Sequence, residues 1–201
     1  MYSHSILPDR CSEPVSPQRR LALRASLLLA GPTLLGAREA FGQDTPALDV
    51  PYVPTPQIVV DRMIELGNVD AKDVLYDLGC GDGRLVITAA KKGARAMGVD
   101  LNPVRIAEAN ENAKRAGVTD RVQFKVANLF TTDVSPASVV TLYLLPEVNM
   151  KLRPQLWQQL KVGTRVVSHA FDMGDWAPEQ TERVDGKTIY AWTITEKHKR
   201  A

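Results

Sequence analysis

Short apolar runs alternate with amphipathic ones from Tyr52 onward, and most are closed by a residue that stops them. "DVLYDLG" reads as a buried strand bounded by Asp73 and Gly79, and "GRLVITAAKKG" as a helix ending at Gly93. "ARAMGVD" is a second short strand that ends in Asp100. "NPVRIAEANENAKRAGV" carries the clearest helix signals. Asn102 is placed as N-cap, Pro103 stands at the first helical position, and Gly117 lies just past the end. Its apolar positions Val104, Ile106, Ala107 and Ala113 gather towards one face. "RVQFKVANLF" and "ASVVTLYLLP" predict a third and a fourth strand, the latter stopped by Pro146. "NMKLRPQLWQQLKVG" predicts a helix in which Pro154 marks a kink or a late start. "TRVVSHAF" predicts a fifth strand, and "TERVDGKTIYAWTIT" a hairpin turning at Asp185-Gly186.

Strands that alternate with helices and finish in a hairpin define an α/β fold, a mostly parallel sheet with helices on both faces. Such sheets bind ligands beyond the carboxyl ends of their strands, where strand order reverses. The stretch Gly79-Cys80-Gly81-Asp82-Gly83 follows the first strand and therefore faces that crevice. Glycine there permits positive φ and lets a ligand lie on bare backbone.

The first 42 residues differ in kind. Arg19, Arg20 and Arg24 precede an apolar run from Ala25 to Ala37, which as a helix spans roughly 20 Å, short of a hydrocarbon core of about 30 Å. Small residues Ala40 and Gly42 then precede Gln43. This is the form of an export leader over residues 1–42, and the paired Arg19-Arg20 partly resembles a twin-arginine signal. A disordered extension or a start codon set too early is the alternative. The leader predicts a periplasmic or inner-membrane-associated protein; without it the protein is cytoplasmic. Residues 43–56 form an extended, proline-bearing arm, and residues 57–201 the folded domain.

A net charge of +2 with no dense Lys/Arg stripe gives no argument for nucleic acid as a partner. Of the two cysteines, Cys11 lies in the leader and Cys80 in the glycine stretch, so the domain holds no internal disulfide. His4, His169 and His198 lack ligand spacing, and no structural metal is expected. The oligomeric state is not legible.

The glycines are spaced G-x-G-x-G and flanked by Asp77 and Asp82. A dinucleotide fold wants G-x-G-x-x-G, and carboxylates so placed would repel a pyrophosphate. A cationic ligand is not repelled, and S-adenosylmethionine carries a sulfonium and an ammonium. Asp100, at the end of the second strand, is suited to accept the hydroxyls of a ribose.

"YDLGCGDGR" followed by "GVD" resembles the first motif and acidic position of class I S-adenosylmethionine-dependent methyltransferases. The likeness continues through "DRVQFKVANLF", "VVTLYLLPEVNMKLRP" and "GTRVVSHAFDMGDW", and upstream to "YVPTP". Together these segments resemble a bacterial branch akin to the ATP-synthase c-subunit type of protein-lysine methyltransferase. The resemblance implies a Rossmann-like, doubly wound, mostly parallel seven-stranded sheet closed by an antiparallel C-terminal hairpin. It implies S-adenosyl-L-methionine as cofactor and a protein lysine as methyl acceptor. Asp77, Gly79, Cys80, Gly81 and Gly83 would hold the methionine end, Asp100 the ribose, and Leu101 the adenine face. Asn128 would bond the adenine edge beside Leu129, and Tyr52 would fold over the cofactor from the arm or simply anchor it.

Methyl transfer is an in-line displacement that needs alignment and water exclusion rather than a triad. Tyr143 is expected to wall the acceptor channel or to be core. Glu147 is expected to orient or deprotonate an amine, and Asn149 to be its polar partner, unless both merely begin a helix. His169 and Trp176 would close the pocket or serve structure alone. The competing functions are a small-molecule or lipid methyltransferase, a cofactor-binding module without catalysis, and an NAD oxidoreductase.

Overall fold

The computed structural model describes residues 52–200, so the leader and most of the arm lie outside the described residues. Seven strands form one sheet: β1 (Val74–Leu78), β2 (Arg95–Asp100), β3 (Val122–Val126), β4 (Val139–Leu142), β5 (Arg165–His169), β6 (Gln180–Val184) and β7 (Lys187–Thr193). Their spatial order is β3-β2-β1-β4-β5-β7-β6. The first five run parallel, and β7 pairs antiparallel with both β5 and β6. Strand order reverses between β1 and β4, which places the ligand crevice at their carboxyl ends.

The helices are α1 (Gln57–Leu66), α2 (Arg84–Lys91), α3 (Pro103–Ala116) and α4 (Pro146–Gln159). Along the strands alternate side chains serve opposite faces. Leu75, Val139 and Val167 pack with α1, α2 and α3 residues such as Met63, Val86 and Ala109. Leu78, Val140, Leu142 and Val166 pack with Leu152 and Leu156 of α4 and with Trp192. Both faces are covered, which is why the central strands read as short, mostly apolar runs.

Local signals explain most element ends. Asn102 Oδ1 accepts from the Val104 N–H at 2.9 Å, and Gly117 closes α3 in the left-handed conformation at φ 69°. Asp185 and Gly186 take φ of 49° and 73°, the pair of positive values a two-residue hairpin turn requires. α4 begins at Pro146, earlier than its pattern suggests, and runs through Pro154 without stopping. Pro154 itself lies on the exposed side of the helix. Among the described residues no helix is long and apolar enough to cross a membrane.

Candidate active site

A cleft of about 280 Å³ opens at the carboxyl ends of β1, β2 and β4. Asp77, Gly79, Cys80 and Gly81 come from β1 and the loop after it, Asp100 and Leu101 from the end of β2. Leu129 enters from beyond β3, and Tyr143 from beyond β4. The arm supplies Tyr52, together with Thr55. Expected positions from five separate segments thus meet in one place.

The loop is held by the carboxylate opposite it. Asp100 accepts from the Gly81 N–H and from the Asn102 N–H, both at 2.9 Å. Gly81 sits at φ 52°, and a Cβ there would run into the Tyr52 ring, so the ring can rest on the loop only because this residue has no side chain. Arg105 also lies over that ring, 4.7 Å from its centroid. Arg84 ties the arm down: its Nη1 donates to the Thr55 carbonyl at 2.5 Å, while its other nitrogens bind Asp82.

The electrostatics are lopsided towards negative. Asp77 is buried and accepts from Thr141 Oγ1 at 2.7 Å. Burial pushes its carboxyl up to about 7, the Thr141 hydroxyl pulls against that, and the charges of Asp100 and Asp82 add to the rise. Burial also raises Asp82, but its hydrogen bonds to Arg84 and that residue's charge outweigh it and hold the carboxyl below the usual range. Arg84 is therefore spent on Asp82, and Arg105 pairs with Glu108 at 2.6 Å. Among the described residues Asp77 has no cationic partner, a costly state for a buried carboxylate. An ammonium placed in the cleft would relieve it, and Asp100 keeps lone pairs free beyond its two backbone bonds. The donor set therefore fits a cationic nucleoside such as S-adenosylmethionine and disfavours a pyrophosphate. Burial raises the Cys80 thiol strongly, and its side chain is turned against Gly98 of β2.

Six candidate residues stand outside the cleft lining. Gly83 is the N-cap of α2 at φ 80°, where its missing side chain makes room for Phe124 and Ala109, not for a ligand. Asn128 is exposed and spends its Oδ1 on the Phe130 N–H at 2.9 Å, capping a 3-10 turn over Leu129–Thr131. Glu147 is exposed in the first turn of α4, outside the cleft, in a shallow depression with Phe130 and Lys151. Asn149 is fully buried, its amide donating to the carbonyls of Phe171 at 3.3 Å and Asp172 at 3.1 Å. Trp176 belongs to an aromatic cluster with Trp157, Trp192 and His198, away from the cleft. His169 is buried behind the wall: its ring packs against Tyr143 at 3.9 Å and its Nδ1 is 3.1 Å from Thr55 Oγ1. Burial, with Lys187 nearby, lowers it to about 4, so it is neutral.

Other lining residues carry no signal in the sequence pattern. Thr55 and Arg84 meet across 29 positions, and Phe171 reaches the cleft from beyond β5. Leu144 packs on the bare face of Gly79. All four lie in segments that carry the family resemblance, and none stands out there by residue type or spacing.

This sheet order, the switch-point cleft and its acidic glycine loop define a class I S-adenosylmethionine-dependent methyltransferase. A model of the ANTKMT methyltransferase domain matches residues 77–180, and the chain belongs to that family. A protein-lysine N-methyltransferase of Saccharolobus islandicus is 49% identical over 153 residues, covering 73% of this chain and 95% of the relative. A Mus musculus lysine N-methyltransferase of the ATP-synthase c-subunit type is 31% identical over 154 residues, covering 75% of this chain and 62% of the mouse protein. Among solved structures, an RNA methyltransferase from Salinibacter ruber in complex with S-adenosyl-L-homocysteine is 59% identical, with a TM-score of 0.71, covering 72% of this chain and 95% of that one.

Proposed function

We infer that the protein is an S-adenosylmethionine-dependent protein-lysine N-methyltransferase. The observation that carries this is the 49% identity, over nearly the relative's full length, with a protein-lysine N-methyltransferase. When bound, S-adenosylmethionine supplies the methyl group and a sulfonium that leaves as a neutral sulfide. The chain's task is to hold that cofactor, aim an amine at it and keep water out.

Asp77 offers the counter-charge for the ammonium, and Asp100 two acceptor oxygens for the ribose. Tyr52, held between Gly81 and Arg105, covers the loop from the arm side. A lysine amine must shed its proton before attack, which from a pKa of about 10.4 costs roughly 4 kcal/mol near pH 7.4. The apolar stretch of Leu144, Leu145 and Val148 next to Tyr143 lowers that cost by disfavouring the ammonium. Glu147 does not line the cleft but adjoins Leu145 and Val148 from the neighbouring depression.

The two kinds of acceptor named among the relatives differ in chemistry. A polynucleotide asks for free cations along its phosphates. The two arginines lining the cleft are each engaged by a carboxylate, which favours an uncharged amine entering between apolar walls. Incubating the purified protein and labelled S-adenosylmethionine with a bacterial lysate, then hydrolysing the protein and RNA fractions separately, tests this. Label in methylated lysine supports the inference; label confined to RNA refutes it.

A further inference from the structure

Asn149 is an amide in the wrong place for a helix that otherwise buries only apolar side chains. Val148, Leu152 and Leu156 are its buried neighbours on α4, and Asn149 is as inaccessible as they are. A buried amide is costly unless its hydrogen bonds are needed where they are made. Those bonds go to one short turn. The Asn149 amide donates to the Phe171 and Asp172 carbonyls, and Ser168 Oγ donates to the Phe171 carbonyl at 2.6 Å. The turn is strained: Ala170 takes φ 68°, a left-handed value for a residue with a Cβ, and Phe171 N donates back to the His169 carbonyl at 2.9 Å.

The strain sends one side chain into the cleft. Phe171 lines it beside Tyr143, with ring centroids 6.4 Å apart and planes within 20° of parallel. Both rings line the cleft and together present an aromatic surface to it. Such a surface packs along the methylene stem of an arriving lysine. The neutral His169 backs the Tyr143 ring, and Asn149 and Ser168 hold the Phe171 backbone by its carbonyl.

We propose that Phe171 is an acceptor-binding residue that completes this surface with Tyr143, and that Asn149 is a positioning residue acting on the reaction only through Phe171. The proposal rests on the lysine-acceptor reading. Poly-L-lysine serves as acceptor, with the acceptor KM, the kcat and the calorimetric affinity for S-adenosylhomocysteine measured separately. Phe171→Ala is expected to raise the acceptor KM about tenfold, the size of a lost aromatic contact, with cofactor affinity held within about twofold. Phe171→Tyr should restore the wild-type KM, and Phe171→Leu should not. Asn149→Ala should reproduce the KM rise, and the double variant should be no worse than Phe171→Ala alone. Should Asn149→Ala fail to fold, Ser168→Ala carries the same test, because it removes a hydrogen bond to the same carbonyl and one accepted from the Asn149 amide.

An unchanged KM in Phe171→Ala, or effects of the two sites that multiply in the double variant, overturns the proposal while leaving the lysine reading intact. A wild-type protein that methylates neither poly-L-lysine nor any lysine in lysate protein overturns both.

Discussion

Asp77 gives the account its sharpest quantitative consequence. With its carboxyl at about 7 in the free protein, Asp77 is roughly nine-tenths protonated at pH 6. Binding the cofactor's ammonium requires the carboxylate, so about 0.9 proton is released at that pH and far less above pH 7.5. The apparent affinity for S-adenosylhomocysteine, which keeps the ammonium, should therefore rise roughly eightfold from pH 6 to pH 7.5. Titration calorimetry in buffers of different ionisation enthalpy reads the released proton directly. Asp77→Asn should abolish both the proton release and the pH slope, and weaken binding at least about tenfold at pH 7.5. A wild-type enthalpy independent of buffer at pH 6, or the same slope in Asp77→Asn, would refute the reasoning.

The same group sets a stability trend in the unliganded protein. Its folded value lies above the ordinary value of 3.8, so the native state binds the extra proton and stability falls as pH rises from about 4 to 7, by on the order of 4 kcal/mol at most. Asp73 and Asp82, held below the usual range, act in the opposite sense only below about pH 4. Thermal melts of wild type against Asp77→Asn should diverge as pH rises; parallel curves would exclude a buried, rising carboxyl. Gly81→Ala forces a side chain onto the Tyr52 ring at a positive φ, and should cost about 1–3 kcal/mol in denaturant unfolding along with most cofactor affinity. Pairing it with Tyr52→Ala should return part of the affinity; no recovery would remove the steric explanation. Arg84→Ala cuts the bond to the Thr55 carbonyl and should speed proteolysis ahead of Gln57, read by mass spectrometry of limited digests. As for the leader, we propose export with cleavage before Gln43, so amino-terminal sequencing of the periplasmic fraction should begin there, and an intact Met1 would contradict it.

Much of this architecture is written in local chemistry. The caps of α3, the Asp185-Gly186 turn and the glycine loop are each decided by a few adjacent residues, and such signals survive in a bare sequence. The α1 helix shows only as Val59, Val60, Met63 and Ile64 on one face, a pattern too short to stand out behind the proline-bearing arm. The start of α4 is obscured because Pro146 can end a strand or open a helix equally well. In the site, Asp77, Gly81 and Asp100 follow from strand ends and one turn. Phe171 does not, since it reaches the cleft through a strained Ala170 that no composition rule marks. The Thr55–His169 contact joins residues 114 apart and exists only once the sheet has formed. Glu147 and Asn149 sit two positions apart near the start of α4, and only the packed helix separates an exposed side chain from a buried one.

The central claim is that this cleft delivers a methyl group to the side-chain amine of a protein lysine. Amino-acid analysis of lysate protein labelled by the purified enzyme and S-adenosylmethionine tests it most directly. Label should be recovered as methylated lysine and should fall in Asp77→Asn at limiting cofactor. Label recovered in ribonuclease-released nucleotides, with none in lysine, would contradict it.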